Sequence, residues 1–182
     1  MVVQRGSSVM AWSRAARAAP AALLALTFAV HAVHAAGDAV TSGLPVPRFV
    51  SLKADRVNVR GGPDKDHDVT WIYTRVGWPV EIVAEFENWR RIRDSDGSEG
   101  WVYHSMLSGK RTATVQLQSK ADLVALHAKP DVASPVTAQL QSGVLGLVKH
   151  CTGAWCRFVG DGFDGWVEQN RLWGVYPDEK IE

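Results

Sequence analysis

The tripeptide Gly100-Trp101-Val102 returns as Gly165-Trp166-Val167, and no other feature of the chain constrains its fold as tightly. Each copy follows a tryptophan that opens a strand-like run, Trp89 to Arg93 in one and Trp155 to Val159 in the other. Turn-forming segments, Asp94 to Gly97 and Gly160 to Gly162, separate run from tripeptide. Upstream, Val57 to Arg60 leads to Pro63 and Val124 to His127 leads to Pro130; downstream come Leu107 with Gly109 and Leu172 with Gly174. The offsets are 67 for the prolines, 66 for Trp89 and Trp155, and 65 for Trp101 and Trp166. A spacing that slips by one residue per loop marks a small unit built twice with trimmed turns.

Within the first copy, residues 48–109, the apolar pattern alternates with period two. Phe49 to Leu52, Val57 to Arg60, Val69 to Thr74, Val80 to Phe86, Trp89 to Arg93 and Trp101 to Tyr103 read as short strands. Ser105 to Leu107 reads as a single tight helical turn. In the second copy, residues 110–176, the strands are Thr112 to Leu117, Leu123 to His127, Val136 to Leu140, Val144 to His150, Trp155 to Val159 and Gly165 to Val167. Thr112 to Leu117 takes the place of Phe49 to Leu52, so the connection between copies is itself a strand and should hold the units close. The fold class is all-β, two small barrels in tandem. Units of about 60 residues bury only about 60% of their unfolded surface. Packing between copies, or a covalent staple, is therefore expected.

Ahead of the repeats stands an address. Residues 1–35 carry Arg5, Arg14, Arg17 and no acid, then an apolar run from Ala18 to Val30, then Val33-His34-Ala35 as a cleavage site. His31 and His34 interrupt the run short of the roughly 20 residues a spanning helix needs. We expect a cleaved signal peptide, no stable membrane span afterwards, and a periplasmic or secreted protein. Those residues take three of the 20 Lys+Arg and none of the 19 Asp+Glu, so the remainder carries two more acids than bases. A near-neutral chain without a basic block argues against nucleic acid as partner. Residues 36–47 read as a disordered or extended lead-in, punctuated by Gly43, Pro45 and Pro47. Residues 177–182 read as a charged, frayed tail.

Four motifs in order resemble the bacterial Src-homology-3-like (SH3-like) domain, in the subfamily found as tandem copies in exported proteins of Gram-negative bacteria. They are Val57-Asn58-Val59-Arg60-x-Gly62-Pro63, Phe86 to Arg93, Glu99-Gly100-Trp101-Val102 and Met106-Leu107-Ser108-Gly109. The second copy matches at Pro130, Trp155, Cys156, Gly165-Trp166 and Leu172-Trp173-Gly174, and has lost the Asn and glycines of the first motif. The resemblance covers residues 48–176. It implies two SH3-like β-barrels and binding, to cell-wall material or envelope proteins, rather than catalysis. Eukaryotic relatives bind proline-rich peptides through a groove of exposed aromatics. Here Trp71, Tyr73, Trp78, Trp101 and Tyr103 supply aromatics without a matching groove motif, so that ligand is not carried over.

Cys151 and Cys156 flank Thr152 to Trp155. If Val144 to His150 and Trp155 to Val159 form a hairpin, the cysteines sit opposite each other, and export places them where disulfides persist. The alternatives are a redox pair or half a metal site; four intervening residues do not make the two-residue redox motif, and no matching second pair completes a metal site. A structural disulfide is expected. Asp64, Asp66, His67 and Asp68 form an acidic cluster, but they lack the glycine and terminal glutamate of a calcium loop and read as a solvated turn. No nucleophile elbow, Cys–His signature or phosphate loop is present, so no catalytic residue, metal or cofactor is expected.

Trp89, Trp101, Trp155 and Trp166 recur and read as structural. Trp71, Tyr73 and Trp78 face Thr137, Gln139 and Gly143–Val144 in the second copy, so the fold does not demand them. They are the candidate binding patch, with Arg91 beside them for carboxylates. Arg90 and Arg93 share that sheet, with Glu81, Glu85 and Glu87 opposite as a charge-balanced face. The expected partner is peptidoglycan or its fragments, with an envelope protein as the alternative.

Overall fold

The computed structural model describes residues 41–116 and 123–182. The leader expected over residues 1–35 lies outside the described residues. Fifteen strands and two one-turn 3-10 helices account for the regular structure, among the described residues.

The first barrel comprises β1 (Arg48–Leu52), β2 (Val57–Arg60), β3 (Val69–Tyr73), β4 (Pro79–Phe86), β5 (Trp89–Arg93), β6 (Glu99–Tyr103) and β7 (Leu107–Ser108). The second comprises β8 (Thr112–Val115), β9 (Val124–His127), β10 (Val136–Leu140), β11 (Leu145–Thr152), β12 (Trp155–Gly160), β13 (Phe163–Glu168) and β14 (Leu172–Trp173). A fifteenth strand, β15 (Lys180–Ile181), joins the second barrel by pairing with β11. The sheet orders are β3-β2-β6-β5-β4-β1-β7 and β10-β9-β13-β12-β11-β8-β14, the same path twice. A 3-10 turn precedes the last short strand in each, His104–Met106 and Gln169–Arg171.

The correspondence extends to irregularities. β4 and β5 slip register between Ile82 and Ala84, and β11 and β12 slip between Val148 and His150. A bulge increases local twist and curls a sheet toward closure. Inward residues of each curl form separate cores, Val50, Leu52, Val57, Val59, Val80, Ile82, Ile92 and Val102 in one, and a second around Leu126, Val148, Phe158 and Val167.

The glycine of the repeated Gly-Trp-Val is a close-approach position. A Cβ on Gly100 would meet Trp71 at 3.0 Å and the carbonyl of Arg60 at 3.1 Å. One on Gly165 would meet Leu126 Cβ at 3.0 Å and the carbonyl of His127 at 3.1 Å. Both glycines let β2 or β9 cross the strand beside them, so the motif recurs because the crossing recurs.

The barrels touch. The Tyr176 hydroxyl donates to Glu81 Oε1 at 2.9 Å, the Thr112 hydroxyl donates to the Gly77 carbonyl at 2.6 Å, and Phe49 packs on Trp173 and Tyr176 with ring centroids 5.1 and 4.7 Å apart. Only Gly109 to Arg111 separate β7 from β8, so the strand-like connection expected from sequence is present. It covers Thr112–Val115; Leu117 lies outside the described residues.

One expectation is corrected and another made more specific. The tail is not frayed: Ile181 pairs with Cys151 and Lys180 with Thr152, and the Glu179 carboxylate takes both Nη groups of Arg111 at 2.7 and 2.9 Å. The side chain of buried Gln169 donates to the carbonyls of Tyr176 and Glu179, giving the tail polar partners that its composition does not reveal. The lead-in, from residue 41, carries no strand but is tied down: the Ser42 amide and hydroxyl each donate to Glu85 at 2.7 Å. One alignment also shifts. Strand register sets Trp71 opposite Val59 and Ala138 opposite Leu126, so Trp71 corresponds to Ala138, not Thr137, and Tyr73 to Leu140, not Gln139.

Candidate functional site

The four residues singled out from sequence do not form one face. Trp71 and Tyr73 stand across from the fully buried Val59 and Val57, so both point inward and cap the first core. Their rings meet edge to face at 6.2 Å. The Tyr73 hydroxyl donates to Asp94 at 2.9 Å; burial, then that carboxylate, pushes its pKa well above the ordinary tyrosine value. Trp78 packs against the same core and carries the Arg75 guanidinium 5.2 Å from its ring centroid, beside the cleft between the barrels. Arg91 alternates with the buried Ile92 and points outward, where it pairs with Glu99 at 2.7 Å.

Its neighbours are paired as well. Arg93 meets Glu81 at 2.6 Å, and buried Arg90 meets Glu85 at 3.1 Å. Glu85 also accepts from Arg48 at 2.6 Å. Burial alone would raise the Glu85 pKa, but donors from Ser42 and Arg48, with Arg90 adding its charge, hold it at about 2. The arginine run of β5 is therefore charge-balanced.

An open, unbalanced site lies elsewhere on the first barrel. Alternation in β2 buries Val57 and Val59 and turns Arg56, Asn58 and Arg60 outward. With Lys65 from the following loop they line a groove of about 260 Å³ floored by Trp89, Tyr103 and Met106. Trp89 and Tyr103 are cross-strand partners, edge to face at 5.4 Å, and Trp89 is only 8% exposed. Three cations line this groove and no acid does. Among the described residues, none of the three forms an ion pair. Such a surface suits an anionic ligand that also has apolar area to lay on the rings.

The neighbouring acidic cluster is a turn. Asp64 Oδ1 accepts from the amides of Asp66 and His67 at 2.8 and 3.0 Å, and the His67 ring lies 3.3 Å from Asp64 Oδ2. Among the described residues no group of three or more His, Cys, Asp or Glu side chains is placed to hold a metal ion.

Register identifies the same positions in the second barrel. Arg60 pairs with Val69 and Trp101 as His127 pairs with Val136 and Trp166. Counting along the matched strand and loop, Arg56 becomes Leu123, Asn58 becomes Ala125, Lys65 becomes Val132, and Tyr103 becomes Glu168. The cationic rim is absent there. Arg157, the counterpart of Arg91, is held through Nε and Nη2 by Asp164 at 2.9 and 2.8 Å. The groove was available from sequence as the contrast between Arg56-Val57-Asn58-Val59-Arg60 and Leu123-Val124-Ala125-Leu126-His127, a difference of charge rather than of aromatic content.

Cys151 and Cys156 are directly opposed in the β11–β12 hairpin and form the expected disulfide, with both sulfurs in the second core.

Two curled sheets with one strand path, one bearing an open groove and the other a disulfide, define a tandem small-barrel protein. The bacterial SH3 domain profile matches residues 53–109 and again 120–174, and the chain belongs to that family. Bacterial SH3 domains are binding domains. No curated protein matched the sequence. Among solved structures, NlpC2 from Trichomonas vaginalis is similar at 12% identity and a TM-score of 0.33, over 71% of this chain and 49% of that one. NlpC1 from the same organism is similar at 12% identity and 0.33, over 74% and 48%. The chain thus spans about half the length of either neighbour.

Proposed function

We propose that this protein is a non-catalytic binding module of the cell envelope that recognises peptidoglycan or its peptides, with the first barrel as the reading unit and the second as its support. The observation that carries the proposal is the groove of Arg56, Asn58, Arg60 and Lys65 over Trp89 and Tyr103, whose cations give way on the other barrel to Leu123, His127 and Val132, with Ala125 for Asn58 and Glu168 for Tyr103. Flat aromatic rings suit sugar faces and extended peptides, and unpaired cations suit the carboxylates of peptide stems. The residues first expected to bind, Trp71, Tyr73 and Trp78, support the groove's barrel from its core side.

Sedimentation with purified sacculi tests this. The full chain should co-sediment, and Arg56→Glu with Lys65→Glu, both exposed positions, should weaken binding roughly tenfold or more while leaving thermal unfolding unchanged. Failure of the unaltered chain to sediment overturns the wall reading. A second reading, an adaptor for an envelope protein, draws on the second barrel, where Leu123, Val132 and Val136 are exposed by 51, 68 and 52%. Specific cross-linking of one envelope protein through that face, without sacculus binding, would establish it.

A further inference from the structure

Arg60, like Arg90, is anchored through Nη1 to two backbone carbonyls, but unlike Arg90 it meets no carboxylate among the described residues. Both hydrogens of its Nη1 are engaged by backbone carbonyls of the loop that follows β2, Lys65 at 3.1 Å and His67 at 2.6 Å. The guanidinium is thereby fixed in plane by its own loop. The remaining donors, Nε–H and one edge of Nη2, are side by side and take no protein acceptor among the described residues. This pair of parallel N–H groups is the fork that a planar carboxylate engages through both oxygens. Arg90, Arg91 and Arg93 each already face a glutamate; Arg60 faces the groove.

We infer that the groove of the first barrel receives the free C-terminal carboxylate of a short peptide, with the Nε–Nη2 fork of Arg60 as its receptor. Lys65 and Arg56 at the rim supply long-range attraction, and the Asn58 amide is placed to bond the peptide backbone. Trp89, Tyr103 and Met106 form an apolar floor that an inorganic anion would leave unused, whereas the aliphatic side chain of a terminal residue covers it. At about 260 Å³ the groove holds a chain end and not a long segment.

The second barrel cannot make this contact, because the residue in place of Arg60 is His127. Its Nδ1 lies 2.8 Å from the Ser134 carbonyl, the counterpart of the His67 carbonyl that Arg60 binds. The loop-pinning bond is retained there and the fork is gone. The inference deepens the proposed function and rests on the groove being its ligand site.

The test uses the full chain and follows tryptophan fluorescence. The probes are N-acetyl-alanyl-alanine in its D,D and L,L forms and the C-terminal amide of each. The free acid of at least one form should bind, its amide should bind roughly tenfold or more weakly, and inorganic phosphate at equal concentration should not displace it. Arg60→Lys keeps the charge and loses the fork, and should weaken the acid by roughly tenfold while leaving the amide unchanged. Arg157→Gln in the second barrel should change neither. Since Arg60 also pins its loop, the acid–amide ratio in the unaltered protein is the deciding measurement and needs no variant. Equal binding of acid and amide, no binding of either, or displacement by phosphate overturns the inference. Sacculus binding with no acid preference would leave the wall reading intact and remove this one. Acid preference without sacculus binding would do the reverse.

Discussion

Glu85 and Arg90 in the first barrel stand at the same register as Cys151 and Cys156 in the second. Each pair bridges the long hairpin directly opposite itself, just beyond an identical bulge. One hairpin closes with a buried ion pair, the other with a disulfide. The segments that flank the two barrels meet these same positions: Ser42 of the lead-in bonds to Glu85, and Ile181 of the tail pairs with Cys151. The ion pair needs several partners because a buried carboxylate is stable only when its oxygens are satisfied, and Ser42, Arg48 and Arg90 supply them. The disulfide asks nothing of its surroundings except geometry. A polar solution draws in neighbours, while a covalent one leaves its barrel free to change elsewhere. The second copy has lost more of its family motif, and it is the copy with the staple.

The strongest way to break this comparison is Glu85→Ala. It leaves the Arg90 guanidinium buried without its carboxylate and frees Ser42 and Arg48, and should cost about 3–5 kcal/mol in denaturant unfolding. The double substitution Glu85→Cys with Arg90→Cys should recover much of that loss under oxidising conditions, because the positions are already opposed as the native cysteines are. If Glu85→Ala unfolds at the native denaturant midpoint, the pair is decoration and the equivalence is empty.

Acid sharpens the same contrast. The folded pKa of Glu85 is about 2 against an ordinary value of 4.5, so the folded state binds its proton less readily than the unfolded chain. Its contribution is complete above the unfolded value and is lost as pH falls from about 4.5 toward about 2. Cys151 and Cys156 do not titrate. Burial opposes ionisation of Glu179 in the second barrel, but Arg111 and the Tyr176 amide hold its carboxyl below the usual range, so that barrel also loosens in acid, at its tail. Hydrogen exchange between pH 5 and 2.5 should therefore show β4–β5 amides losing protection before those of β11–β12. The opposite order contradicts the assignment.

The repeat, the strands along the chain and the cysteine pairing were legible because each rests on local pattern: alternation, turn residues and a hairpin spacing. The offsets report real differences in spacing: between register-matched residues, Tyr73 to Ile82 spans one residue more than Leu140 to Val148, and Ile92 to Gly100 one more than Phe158 to Gly165. Identical bulges were not visible, since a bulge leaves the apolar alternation broken by a single residue that reads as noise in β4 and β11 alike. That Trp71 and Tyr73 turn to the core was hidden for a related reason. Trp71 and Tyr73 differ between copies, but their strand register turns them to the core, where Ala138 and Leu140 stand in the other barrel. Trp89 recurs and reads as packing, yet it floors the groove. What distinguishes the two faces is charge on the outward positions of β2 and β9, which becomes evident only once the alternation is fixed in space.

Reducing the disulfide is the mildest of these interventions and the one that isolates the covalent half of the comparison. The loop it closes, with Thr152 to Trp155 between the cysteines, is short, so the chain-entropy model assigns it about 2 kcal/mol. The two thiols would remain inside a core shared with Val148, Phe158 and Val167, where they pack as small apolar side chains without needing partners. Reduction should therefore lower stability by about 2 kcal/mol without unfolding the barrel, and protection should fall at β11, β12 and the paired β15 and not at β4–β5. A loss as large as that from Glu85→Ala would mean that the staple, like the ion pair, organises its surroundings, and the asymmetry between the two hairpins would disappear.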